Sequence, residues 1–158
     1  MSDLELVSRL RCCNLKEVCD VPYKGLVIPA RLTKVLDGDT VKVIILLGEH
    51  PLALKVRLAG IDAPETTLKG QTTQLEKDAG LAVKKYVCDL LQDIVYIKLT
   101  QLDKYGGRYV GNVYVTPSCA VKDDCVSKKL LALKYAKAYD GGKKALWEIK
   151  ELEHITQR

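Results

Sequence analysis

The sequence predicts an α+β domain, mainly β, built as a five-stranded OB-type barrel with about three flanking helices. Three observations predict it. Three strand-like segments follow one another at meander spacing between residues 26 and 58, and one long amphipathic segment follows between 73 and 90. Two further β-branched segments then precede a helical C-terminal pattern, with no internal repeat and no low-complexity linker. At 158 residues the chain has the length of one domain, large enough to bury a core without staples.

Ser2-Asp3-Leu4-Glu5 has capping-box spacing, and Leu4, Val7 and Leu10 follow at helical intervals. Residues 1–25 therefore read as an N-terminal extension carrying a short helix over 3–12 packed on the domain, with the barrel domain spanning 26–158. After the break at Pro22 to Gly25, Leu26 to Leu36 forms a first strand. Asp37-Gly38-Asp39 is a tight turn into a second strand, where Val41, Val43, Ile45 and Leu47 alternate with Lys42, Ile44 and Leu46. Gly48-Glu49-His50-Pro51 turns the chain again, and Leu54, Val56 and Leu58 alternate with Lys55 and Arg57, so Arg57 points away from the core.

A second capping box, Thr73-Gln74-Leu75-Glu76, opens the clearest helix, with Leu75, Ala79, Ala82 or Val83, Tyr86 and Leu90 on one face. Ile94 to Thr100 is a strand, Asp103 to Gly107 a turn and Tyr109 to Val115 a strand. Asp123 or Asp124 caps a helix carrying Val126, Leu130, Leu133 and Ala136, which Gly141-Gly142 terminates. A last helix covers Lys144 to Thr156.

Composition narrows the class. Apolar residues make up 47% and charged residues 28%, the balance of a soluble globular chain, and no apolar run reaches bilayer length, so no membrane partner is expected. Asp3, Glu5, Arg9 and Arg11 interrupt the N-terminus, which rules out the continuous apolar segment of a secretory signal and predicts a cytoplasmic or otherwise intracellular, monomeric protein. Cys12, Cys13, Cys19, Cys88, Cys119 and Cys125 are scattered, with no C-x-x-C pair, and His50 and His154 stand alone. Free, mostly buried thiols are expected rather than disulfides or zinc. The net charge is +5, and Lys128, Lys129, Lys134, Lys137, Lys143 and Lys144 cluster near Asp140 alone. That cluster suits either a polyanion or a solvated helix face.

The chemistry concentrates around Asp62-Ala63-Pro64-Glu65-Thr66, downstream of Leu36-Asp37-Gly38-Asp39-Thr40-Val41. Pro64 fixes its own φ and pushes the residue before it toward an extended backbone, so Asp62 and Glu65 are held stiffly. A hard divalent cation takes oxygen ligands, and Asp39 and Asp62 supply them from separate turns; calcium or magnesium is implied. Taken alone, Asp37-Gly38-Asp39 is a turn former. In combination with Arg57, Glu65 and Arg108 it matches what phosphodiester attack calls for, a base on water and cations on the developing charge.

Three motifs, Leu36-Asp37-Gly38-Asp39-Thr40-Val41, Val56-Arg57-Leu58 through Glu65-Thr66, and Asp103-Lys104-Tyr105-Gly106-Gly107-Arg108, occur in an order that resembles the staphylococcal nuclease-like (thermonuclease) family over roughly residues 26–145. The resemblance implies a five-stranded OB barrel and a calcium-dependent nuclease for DNA and RNA, leaving 5′-hydroxyl and 3′-phosphate ends. It implies that Asp39, Asp62 and the main-chain carbonyl of Ala63 bind Ca2+, that Glu65 is the general base and that Arg57 and Arg108 bind the phosphate. Lys104 and Tyr105 match residues lining the nucleotide pocket, and Tyr139 falls where the family stacks a tyrosine near the base. The chain departs from the family prototype in two places: Ala63 replaces a threonine, which a backbone ligand tolerates, and Gly107 is inserted before Arg108. The rival reading is a nucleic-acid-binding module. Against it stands the retention of every carboxylate and arginine of the motifs.

Overall fold

The computed structural model describes residues 2–14, 16 and 18–158. Its centre is a closed barrel of β1 (Val27–Asp37), β2 (Thr40–Leu47), β3 (His50–Leu58), β5 (Ile94–Leu102) and β6 (Tyr109–Tyr114). Around the barrel the order is β1-β2-β3-β6-β5, closing on β1, with every pairing antiparallel except β3 with β6. The five expected strands are all present. β4 (Ile61–Asp62) and β7 (Lys137–Ala138) form a separate two-stranded sheet.

Alternation decides which side chains fill the barrel. Val41, Val43, Ile45, Leu54, Val56, Leu58, Val95, Ile97, Leu99 and Val113 point inward and are buried. Each such side chain contributes about 1.5–3 kcal/mol by leaving water. Bulges between Leu32 and Lys34, between Val35 and Asp37, and between Leu99 and Gln101 add the local twist that closure requires. α2 (Gln74–Leu90) lays Ala79, Gly80, Val83 and Val87 against the barrel, and α5 (Ile149–Thr156) packs Leu152 and Ile155 alongside it.

Several boundaries differ from the sequence reading. His50 and Pro51 belong to β3 rather than to the turn, because Pro51 pairs with Leu46 near the strand's start. A short α3 (Pro117–Val121) forms behind Thr116, whose side chain accepts from the Cys119 N–H, with proline in the first turn. α4 (Val126–Ala132) is capped by Cys125 without a side-chain bond, not by Asp123 or Asp124. It also stops well before the glycine pair. Lys134 takes φ 60°, its N–H reaches the Leu131 carbonyl, and the Tyr135 N–H reaches that of Leu130. These are the two bonds of a Schellman stop, so a lysine ends the helix where glycine is usual, held by buried Tyr135 and Leu130. α5 begins at Ile149, five residues later than expected, where Glu148 and Glu151 form a capping box.

α1 (Asp3–Arg11) forms behind the Ser2–Glu5 capping box but buries none of its residues, in contrast to the packing expected of it. The thiols are also more open than expected. All six are free, yet only Cys125 is buried; Cys12, Cys13, Cys19 and Cys88 are exposed. Three of these lie in the N-terminal extension, and Cys88 follows the buried Val87 on the outer side of α2.

Candidate active site

The β1–β2 turn presents the first acid. Asp37 Oδ1 accepts from the Asp39 N–H at 3.2 Å, a local turn bond that leaves the Asp39 carboxylate facing the barrel's end. Asp39 is buried, and the Thr40 hydroxyl donates to its Oδ1 at 2.8 Å. Thr40 lies opposite Arg57 on β3, so the strand register brings the arginine to the turn. Arg57 stands on the outward row, as alternation predicts, but it is buried. The returning chain lies over it: the β4–β7 pair seats Tyr139, whose N–H donates to the Gly60 carbonyl at 2.9 Å, and the tyrosine ring sits 5.3 Å from the guanidinium carbon.

Arg57 forks between two aspartates. Its Nη1 lies 2.7 Å from Asp39 Oδ2, and its Nη2 donates to Asp62 Oδ1 at 3.1 Å and to the Ile61 carbonyl at 3.2 Å. Lys144 Nζ then bridges Asp62 Oδ1 at 2.8 Å and Glu65 Oε1 at 2.9 Å. The result is an alternating chain of charges, Asp39, Arg57, Asp62, Lys144, Glu65. Burial pushes the Asp39 carboxyl up to about 6 despite the opposing pull of Arg57. For Arg57, burial favours the neutral form, but Asp39 and Asp62 outweigh it and hold the cation. Lys144 follows the same pattern, burial being outweighed by Asp62 and Glu65, so its ammonium is strongly favoured.

α2 holds the loop that carries Glu65. Thr73 caps the helix by accepting from the Glu76 N–H, but the Glu76 carboxylate accepts from the Glu65 N–H at 3.4 Å instead of completing the capping box. One turn later, Gly80 lets the helix approach the loop backbone. A Cβ there would stand 2.3 Å from the Glu65 carbonyl oxygen and 2.7 Å from that of Pro64. The glycine's cost in helix propensity is offset by this close seat.

The β5–β6 hairpin supplies the remaining cations. The Asp103 N–H donates to the Arg108 carbonyl at 3.0 Å, and the Gly106 N–H to the Asp103 carbonyl at 2.9 Å. Gly106 and Gly107 both take positive φ, 70° and 74°, so the extra glycine is absorbed inside the turn and the hairpin still closes on Arg108. Arg108 Nε pairs with the Asp103 carboxylate. Burial raises Asp103, but Arg108 outweighs it and holds the carboxyl below its ordinary value. Lys104 donates to the Gly141 carbonyl and lies 5.0 Å from the ring of Tyr105, which is exposed.

These elements enclose a cleft of about 900 Å³. Asp39, Arg57, Ala63, Glu65, Lys104, Tyr105, Arg108 and Tyr139 all line it, while Asp62 sits behind its wall. The structure thus brings all nine residues singled out in the sequence to one site. Lys144 also lines the cleft; the sequence flagged it only as one of a basic cluster. Glu76 and Gly80 went unnoticed, since the capping box and the helix pattern explained both without a site. The C-terminal basic cluster is largely neutralised, because Lys128, Lys129, Lys137 and Lys144 pair with Asp123, Asp124, Glu151 and Asp62.

The donor set suits a hard cation. Among the described residues no three Asp, Glu, His or Cys side chains group as a metal site, so a cation here would need Asp39, Asp62 and a main-chain carbonyl such as that of Ala63. The Ala63 N–H lies 3.5 Å from Asp39 Oδ2, which places that peptide against the first acid. The raised Asp39 carboxyl marks an anion that its protein partners leave under-compensated.

A family model described as staphylococcal nuclease homologue matches residues 55–157, from β3 through α5. No curated protein matches the chain.

Proposed function

The chain belongs to the staphylococcal nuclease homologue family, whose domains have a nuclease or nucleic-acid-binding fold, and from that premise we propose that it is a calcium-dependent endonuclease. Its substrates are the phosphodiester bonds of DNA and RNA, cut with little sequence specificity to leave 3′-phosphate and 5′-hydroxyl ends. The observation that carries this reading is the convergence of Asp39 from the β1–β2 turn, Arg57 from β3, Glu65 from the loop before α2 and Arg108 from the β5–β6 hairpin on one cleft backed by Asp62.

Asp39, Asp62 and the Ala63 carbonyl would hold Ca2+, which supplies Lewis-acid polarisation of a phosphoryl oxygen. Glu65 lies at the cleft's exposed side, where it takes a proton from water once Lys144 releases its carboxylate. Arg57, locked between two acids, presents a fixed positive charge to the phosphate rather than a mobile one. Arg108 uses Nε on Asp103, which leaves its terminal nitrogens for the substrate and fixes the plane of the guanidinium. Lys104 and Tyr105 border the nucleotide, and Tyr139 lines the cleft with its ring against the Arg57 guanidinium.

The test is digestion of single-stranded DNA, duplex DNA and RNA by the purified protein with calcium, with magnesium and with chelator. Calcium-stimulated cleavage that Glu65→Gln removes is the expected result. Binding without cleavage under every condition would replace the enzyme with a nucleic-acid-binding module.

A further inference from the structure

The outer wall of the barrel carries a feature the cleft does not use. Lys34 on β1 pairs directly with Lys42 on β2, and Lys42 pairs directly with Lys55 on β3. Three lysines therefore stand side by side across three neighbouring strands. All three are exposed, and none enters a salt bridge among the described residues. Like charges placed directly opposite on a sheet repel, so this row destabilises the strands that bear it. The C-terminal lysines, by contrast, are mostly paired with carboxylates.

The row's position is what gives it meaning. Thr40 pairs with Arg57, and Lys42 with Lys55, two residues further along the same strands. Because side chains alternate, both pairs face the same side of the sheet, separated by about 7 Å along the strand direction. The lysine row thus continues the wall that carries Arg57, and adjacent strands set its three ammonium groups over a width of about 10 Å.

We propose that Lys34, Lys42 and Lys55 form a phosphate track that binds single-stranded nucleic acid beside the cleft. The proposal rests on the nuclease reading for its substrate and names where the strand runs. A strand with its reacting phosphate at Arg57 passes its neighbouring phosphates over the row, whose mutual repulsion the polyanion relieves. The contacts are to the backbone, with no base readout, so they add affinity and salt dependence without sequence preference.

The experiment compares the unaltered protein with K34Q/K42Q/K55Q, and with K24Q/K122Q/K150Q as a control of equal charge change at exposed lysines elsewhere. Binding of a labelled single-stranded oligodeoxynucleotide longer than the cleft is followed by fluorescence anisotropy in chelator across a salt series. The track variant should bind at least tenfold more weakly at low salt, with the slope of log K against log salt shallower by about 2, since each lysine contributes about 0.7. Where calcium-dependent cleavage is seen, KM for long strands should rise while that for a dinucleotide stays unchanged. Equal weakening by both variants, or no change in the track variant, would overturn the proposal. Failure of the nuclease reading shows separately, as absence of cleavage by the unaltered protein, and leaves the binding comparison intact.

Discussion

Replacing Asp39 with asparagine in metal-free protein tests whether burial or Arg57 governs the site's electrostatics. The carboxyl rises from its ordinary 3.8 to about 6 on folding, with desolvation as the largest cause. A group whose pKa is raised in the fold binds its proton more tightly there than in the unfolded chain. Its stabilising effect is therefore complete below about pH 3.8 and is lost as pH climbs through about 6. The shift of about 2 units, at 1.36 kcal/mol each, makes ionised Asp39 cost about 3 kcal/mol at neutral pH. Asparagine cannot ionise, so Asp39→Asn should gain about 3 kcal/mol relative to the unaltered chain between pH 4 and pH 7. The variant also removes one ionic partner of Arg57, but that pair exists only while Asp39 is ionised and its opposing pull is already contained in the net upward shift, so it enters the slope and is not counted again. Urea unfolding in chelator, followed by the fluorescence of the single tryptophan, Trp147, measures the difference at each pH. A difference that stays flat with pH would show that the 2.7 Å pair with Arg57 fully compensates burial. A difference that falls with pH would reverse the sign of the argument.

Further expectations follow from the same geometry. Lys144→Ala should tighten calcium binding about three- to tenfold by calorimetry, since the ammonium holds Asp62 in the metal-free state but is half exposed and partly screened; weaker binding would make Lys144 a support rather than a competitor. Gly80→Ala should cost about 1–3 kcal/mol and lower kcat, because the new methyl meets the Glu65 carbonyl; a stable, fully active variant would show the loop free to move. Arg108→Lys should lower kcat on the order of a hundredfold while Lys104→Ala mainly raises KM, and the opposite ranking would dislodge Arg108 from the phosphate. Asp39→Ala and Asp62→Ala should each remove calcium-dependent cleavage with circular dichroism unchanged; wild-type activity in either would refute its place as a ligand.

The barrel was legible because its strands are long enough to show period 2, and one buried face fixes their register. β4 and β7 were not, since two residues have no period; their pairing comes from tertiary placement. The end of α4 was hidden because Lys134 occupies the left-handed position, which the Tyr135 N–H bond to the Leu130 carbonyl and the burial of both residues hold in place. At the site, local motifs located the acids and arginines, but their partnerships cross the chain. Lys144 reaches Glu65 over 79 positions, and Glu76 abandons the cap its spacing predicts to hold the Glu65 backbone. The direction of Arg57 was readable; its burial was not, because Tyr139 covers it from another segment.

The β4–β7 pairing has a consequence for synthesis. Ile61 and Asp62 pair with Ala138 and Lys137, and the Gly60 carbonyl accepts from Tyr139, so the acid-bearing strand finds its partner only when the C-terminal third has been made. A chain still on the ribosome and ending before Lys137 already holds all the acids and both arginines, yet nothing covers Arg57 and nothing pairs with β4. Assembly of the cleft is thereby deferred until the segment from 137 to 144 has left the exit tunnel, so its acids and arginines are held in place last although they are made first.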